Sequence, residues 1–224
     1  MQPTPPDSLE RFIARNEFPC VGAKSALGKR QLDIHCARSI ASSWNDLEVH
    51  RKLMDFAAKA QDEPKLFRSF AVIYCAPLLL SEKAFERHMW KRIQSMTDKD
   101  VWLGQNQEDG VSADPDNPHF SLSFGGSAFF VVGLHPGASR KARRFTYPTL
   151  IFNLHDQFET LREQGRYEKL RGAILARDHA LQGSDNPMLS RHGTVSEARQ
   201  YSGRSVPGSW SAPYHRPSPS EDTP

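Results

Sequence analysis

At 224 residues the chain has room for one domain with tails, and for a core that needs no disulfides. A net charge of +3 and a pI near 8.8 are too mild for a dedicated nucleic-acid binder, so no nucleic-acid partner is expected. The three cysteines form no CxxC pair, no apolar run reaches the roughly 20 residues of a membrane span, and the polar start is no signal peptide; the expectation is a cytoplasmic protein without a membrane partner.

Residues 1–8 are proline-rich and read as a disordered tail, with Ser8 able to cap a helix over Leu9–Arg15 that Phe18-Pro19 ends. Cys20 then stands among Gly22, Ala23, Ser25 and Ala26, small residues that let a planar group or another backbone come close. The plainer reading is an inert buried cysteine. Gly22 to Lys29 is no phosphate loop, because its glycines are one residue too far apart and Arg30 replaces the metal-binding Ser/Thr.

Leu32, Ile34 and Cys36 alternate in a strand over Gln31–Ser39. Ser43 caps a helix to about Gln61, with Trp44, Leu47, Leu53, Met54, Phe56 and Ala57 as its apolar positions. Phe67–Cys75 is a second strand closed by Pro77, and Ser81 starts a helix carrying Phe85, Met89, Trp90 and Ile93. After the polar Gly104–Pro118 loop, Phe120–Phe124, Gly125-Gly126 and Phe129–Leu134 read as a β-hairpin.

Phe129 to Arg162 is the stretch on which the rest is built. Its first apolar run leads into His135-Pro136 and a loop holding Arg140, Lys141, Arg143 and Arg144. A second run, Thr149–Phe152, leads to Asn153 and His155, where an amphipathic helix opens with Phe158 and Leu161 on one face and Glu159 and Arg162 on the other. Buried strands that bring a histidine and guanidinium groups to one end of a sheet suit an anionic ligand; a solvated basic loop between core strands is the plainer alternative. Arg166–Leu181 follows as a helix with Leu170, Ile174, Leu175 and Leu181 inward, and 215–224 reads as a disordered tail. Hairpin-style strands with helices before and after them give an α+β single domain over 9–214, a mostly antiparallel sheet with flanking helices.

His50 and His88 fall on helix surfaces, His119 and His179 lack supporting neighbours, and His215 is in the tail. His135 and His155 each follow a strand. His155 and Glu159, four apart, could chelate a metal or simply form a surface ion pair. No nucleophile elbow, dinucleotide fingerprint or paired-cysteine zinc site is present.

Phe18-Pro19-Cys20, HPGASRKARRF at 135–145, FNLHDQF at 152–158, RDHALQGSDNPML at 177–189 and SEARQYSGR at 196–204 resemble the YqcI/YcgG family in order and spacing, from Phe18 to Tyr214. The resemblance implies a heme-dependent oxygenase that uses O2 to N-hydroxylate a guanidine or amine of a small, cationic, arginine-like compound. Electrons would come from a separate reductase, since the chain shows no flavin or nicotinamide fingerprint. Arg140, Arg143 and Arg144 would hold the heme propionates. The iron ligand stays open: Cys20 and His135 stand level, with His155 behind them. Glu159 leads as the carboxylate facing a cationic substrate, with Asp178 and Glu197 in reserve. Ala212 departs from the cysteine expected before Pro213. Two other readings are a non-heme metal held by His135, His155 and Glu159, and a non-catalytic heme or anion-binding protein.

Overall fold

The structure, a computed structural model, describes residues 3–191 and 193–218. Its centre is a five-stranded sheet of order β1-β2-β5-β4-β3, built from β1 (Leu32–Ser39), β2 (Ser69–Ala76), β3 (Leu122–Phe124), β4 (Ser127–Leu134) and β5 (Thr149–Leu154). β1 and β2 are parallel, joined by the crossover helix α3 (Asp46–Asp62); every other pairing is antiparallel. The domain is therefore α+β with a mostly antiparallel sheet, and helices cover both of its faces.

Alternation along the strands sorts two cores. Phe70, Val72, Tyr74, Phe129, Val131, Leu150 and Phe152 pack against α3 and the long α4 (Glu82–Trp102). Ala71, Ile73, Leu134 and Ile151 face the opposite side, where α1 (Pro5–Ala14) contributes Leu9, Phe12 and Ile13. α2 (Val21–Gly28), α5 (Asp156–Glu163) and α6 (Tyr167–Gln182) lie on that second side, and a short α7 (Ala198–Tyr201) packs beside β4. Gly133 is required where it is, because a side chain there would meet the Phe85 ring and Tyr201 O.

Several expectations are corrected. The first helix starts at Pro5, so residues 5–8 are no tail; Thr4 caps it, in a reciprocal capping box with Asp7. Cys20 is itself the N-cap of α2, where low apolar contrast conceals a helix. α3 is turned relative to the sequence reading: Trp44 and Leu47 are exposed, while Val49 and His50 are buried. His50 is thus no surface histidine. Its Nε2 lies 2.9 Å from Asp100 Oδ1, which also accepts from Gly125 N. Arg216 donates to Asp100 Oδ2 at 2.9 Å and to Ser123 O and Gln105 O, which anchors residues that were read as tail. Residues 219–224 of that proposed tail lie outside the described residues. Among the described residues no helix is long and apolar enough to cross a membrane.

Candidate functional site

Between the second face of the sheet and α2, α5 and α6 lies a cavity of about 300 Å³. Val132, Leu134 and Ile151 form its floor, and Leu170, Ile174 and Leu175 of α6 its roof. These α6 residues are only partly buried, so the helix turns its apolar stripe toward a space and not into a filled core. A space of this size, mostly apolar with a few polar groups converging on it, has the form of a small-molecule or cofactor site.

Cys20 opens onto the cavity. Its Sγ accepts from Ala23 N at 3.4 Å at the start of α2. Burial pushes the thiol pKa up, against the backbone N–H groups of Ala23 and Gly22 and the positive charge of Arg143, which favour thiolate. Arg143 also lines the cavity and is spent on backbone: it donates to Gly133 O at 3.0 Å, Tyr201 O at 3.2 Å and Gln200 O at 3.2 Å. Burial lowers its pKa to about 10, which still leaves it charged at neutral pH. Arg140 pairs with Asp178 and donates to Ser184 O and Asp185 O, while its buried Nε has no partner among the described residues.

Glu197 and His155 meet on another part of the wall. Glu197 Oε1 accepts from Tyr201 Oη at 2.5 Å and from Ser121 Oγ at 2.8 Å. His155 Nε2 is 3.8 Å from Glu197 Oε2, and its Nδ1 is 3.9 Å from Glu159 Oε1. Burial and the Glu197 charge raise the Tyr201 pKa, so Tyr201 stays a donor to the carboxylate.

Cys20, Arg140, Arg143, His155, Asp178 and Glu197 thus share one cavity, and three sequence-stated candidates stand apart from it. His135 is fully buried on the Phe85 ring, with centroids 4.3 Å apart, and neither ring nitrogen has a partner among the described residues. Arg144 points to a second, shallower crevice, and Glu159 is exposed in an ion pair with Arg162. The pairing of β4 with β5 also separates the histidines. His135 follows Leu134, which faces Thr149; His155 follows Leu154, which faces Phe129. At roughly 3.4 Å per residue they lie more than about 17 Å apart, so one ion cannot be held by His135, His155 and Glu159. Among the described residues no three His, Cys, Asp or Glu side chains converge on a metal position.

The sequence reading passed over Arg171, which lines the cavity with one long bond to Leu189 O, and over the role of Arg162 on the same wall. Arg171 follows directly on Leu170 and precedes Ile174 by three, a charge bordering an apolar stripe. That spacing was its one visible signal.

The YqcI/YcgG family profile matches residues 9–215. The chain is similar to the uncharacterized protein YqcI of Bacillus subtilis (strain 168), 28% identical over 153 residues, which are 66% of this chain and 59% of that protein. The match therefore spans less than two thirds of the relative. No solved structure matches the chain.

Proposed function

Because the chain belongs to the YqcI/YcgG family, we propose that it is a cytoplasmic heme-dependent oxygenase that N-hydroxylates a guanidine or amine of a small cationic compound. The observation that carries this reading is the apolar cavity with a helix-capping thiol, Cys20, and arginines on its wall. The residues fit the group: apolar side chains on both sides suit a flat macrocycle, and the buried Arg140 Nε, without a partner among the described residues, leaves a donor for a carboxylate. Arg162 and Arg171 supply further guanidinium groups. When bound, heme supplies activation of O2, which a thiolate ligand promotes.

This placement reorders the ligand candidates. Cys20 comes first, since a metal-bound thiol is deprotonated outright and its capping N–H already favours the anion. His155 comes second and His135 drops out of the site. Among carboxylates Glu197 now leads for the cationic substrate, because Asp178 is taken by Arg140 and Glu159 lies outside the cavity. Tyr201 and Ser121 hold Glu197 in place, and His155 beside it is placed to move a proton. Overall, one oxygen atom of O2 goes to the substrate nitrogen and the other to water, with two electrons and two protons taken up from outside.

The test is the absorption spectrum of protein expressed with ample heme, then mass spectrometry of guanidines and amines incubated with it, O2 and a reductant. A stoichiometric Soret band, lost or shifted in Cys20→Ala and retained in His135→Ala, together with addition of one oxygen, is the expected result. Absence of a Soret band removes the reading. One observation favours a second reading, a non-catalytic binder of anions: four arginines line the cavity against Asp178 and Glu197. Heme bound without oxidation of any substrate would select it.

A further inference from the structure

The proposed oxygenase needs electrons from outside, and the surface behind the cavity carries a feature that its own chemistry leaves unused. A shallow crevice of about 240 Å³ is lined by Phe12, Arg15, Glu17, Phe18, Lys141, Arg144 and Leu181. Two more cations reach the chain beside it: Lys24 donates to Ala14 O, and Arg177 donates to Asn16 O and Phe18 O. Where these five cations make hydrogen bonds, they make them to backbone carbonyls. Lys141 donates to Leu181 O, and Arg144 to Ala138 O and Ser139 O. Among the described residues none of the five pairs with a carboxylate, although Arg68, Arg92, Arg140, Arg162, Arg191, Arg204 and Arg216 all do.

On a chain whose net charge is only +3, five cations against the one Glu17 carboxylate of the crevice lining are a local excess of positive charge. It is drawn from the end of α1, from α2, from the loop after β4 and from α6, a spread wider than a small anion covers. Phe12 and Phe18 are buried and offer no stacking platform of the kind single-stranded nucleic acids use. The position matters as well. Phe18 lines both this crevice and the main cavity, and Cys20 follows two residues later. One ring separates the basic surface from the proposed cofactor space.

We propose that this face, centred on Arg15, Lys141 and Arg144, is the docking surface for an acidic one-electron carrier protein of the iron–sulfur class. The inference rests on the oxygenase reading. Two successive dockings oxidise two carriers by one electron each, and these are the two electrons that N-hydroxylation consumes. Complementary charge brings the carrier in quickly and sets its orientation, and salt weakens the encounter.

An acidic [2Fe–2S] ferredoxin is the probe, and its affinity for heme-loaded wild type and for Arg15→Glu/Lys141→Glu is measured at low and high salt. The expected result is binding at low salt that weakens about tenfold or more both in the double variant and on raising salt. The variant should keep its heme spectrum and its reduction by dithionite. The milder Arg15→Gln/Lys141→Gln should show a smaller loss in the same direction, which serves if the charge reversal impairs folding. A heme-loaded wild type that ignores ferredoxin, or variants that bind it unchanged, overturns the docking surface and leaves the oxygenase reading intact. A single-stranded oligonucleotide or inorganic phosphate that binds more tightly, and is lost in the variant, also overturns it. A missing Soret band, seen before any carrier is added, removes both.

Discussion

His135 is a buried imidazole with no hydrogen-bond partner among the described residues, and burial drops its pKa to about 4. The unfolded chain, with a histidine pKa near 6.5, binds that proton more readily, so stability should fall as pH drops from 6.5 toward 4 and level off below. The loss is about 3 kcal/mol, and chemical denaturation of wild type and His135→Gln across that range should show it shrinking in the variant. Arg143 and Arg144, adjacent in sequence, should behave differently. Arg143 ties Gly133, Gln200 and Tyr201 together through their carbonyls, so Arg143→Ala should cost about 3 kcal/mol or more of stability. Arg143→Lys should not restore it, because an ammonium cannot reproduce the planar fork. Arg144→Ala, on the outer crevice, should leave both the fold and heme retention close to wild type.

Among the elements, α6 is the least committed to a core, since its Leu170, Ile174 and Leu175 face open volume. In heme-free protein Ile174→Ala should cost less than about 1 kcal/mol, whereas Leu53→Ala in the packed α3 should cost about 2–5 kcal/mol. Val132→Phe on the cavity floor should fill the space, keep the thermal midpoint and abolish heme uptake; normal uptake would place the cofactor elsewhere. The β3–β4 hairpin and β5 were legible because alternation and a Gly-Gly turn are local signals. The orientation of α3 was not. His50 is held inside by Asp100, fifty residues away, and hydrophobic periodicity cannot register a buried polar pair. Cys20, Arg140, Arg143 and His155 could be singled out from their motifs, but which of them face one space depends on strand pairing. Glu159 shares a helix face with His155 in sequence, yet tertiary packing leaves it in solvent.

For the molecule as a whole, Asp100 joins α3, α4, the hairpin turn and the segment after Tyr214. Arg216→Ala leaves a buried carboxylate short of its cation, and truncation after Tyr214 removes the same partner. Both should lower unfolding free energy by about 3–5 kcal/mol, and equal losses in the two proteins would assign the effect to this side chain. Ala212 sits in the core on the α3–α4 side, remote from the cavity floor, so a cysteine in its place would add no thiol to the wall that holds Cys20. The sheet order has a kinetic consequence. β3, β4 and β5 are neighbours in sequence and can zip up early, and β1 and β2 are joined through α3. The seam between these halves is β2 against β5, where Ser69 meets Asn153 across 84 residues of chain. Closing so distant a contact is slow. Until it closes, the buried inner strand β2 is a bare sheet edge, and that interval is when chains of this fold are most exposed to sticking to one another.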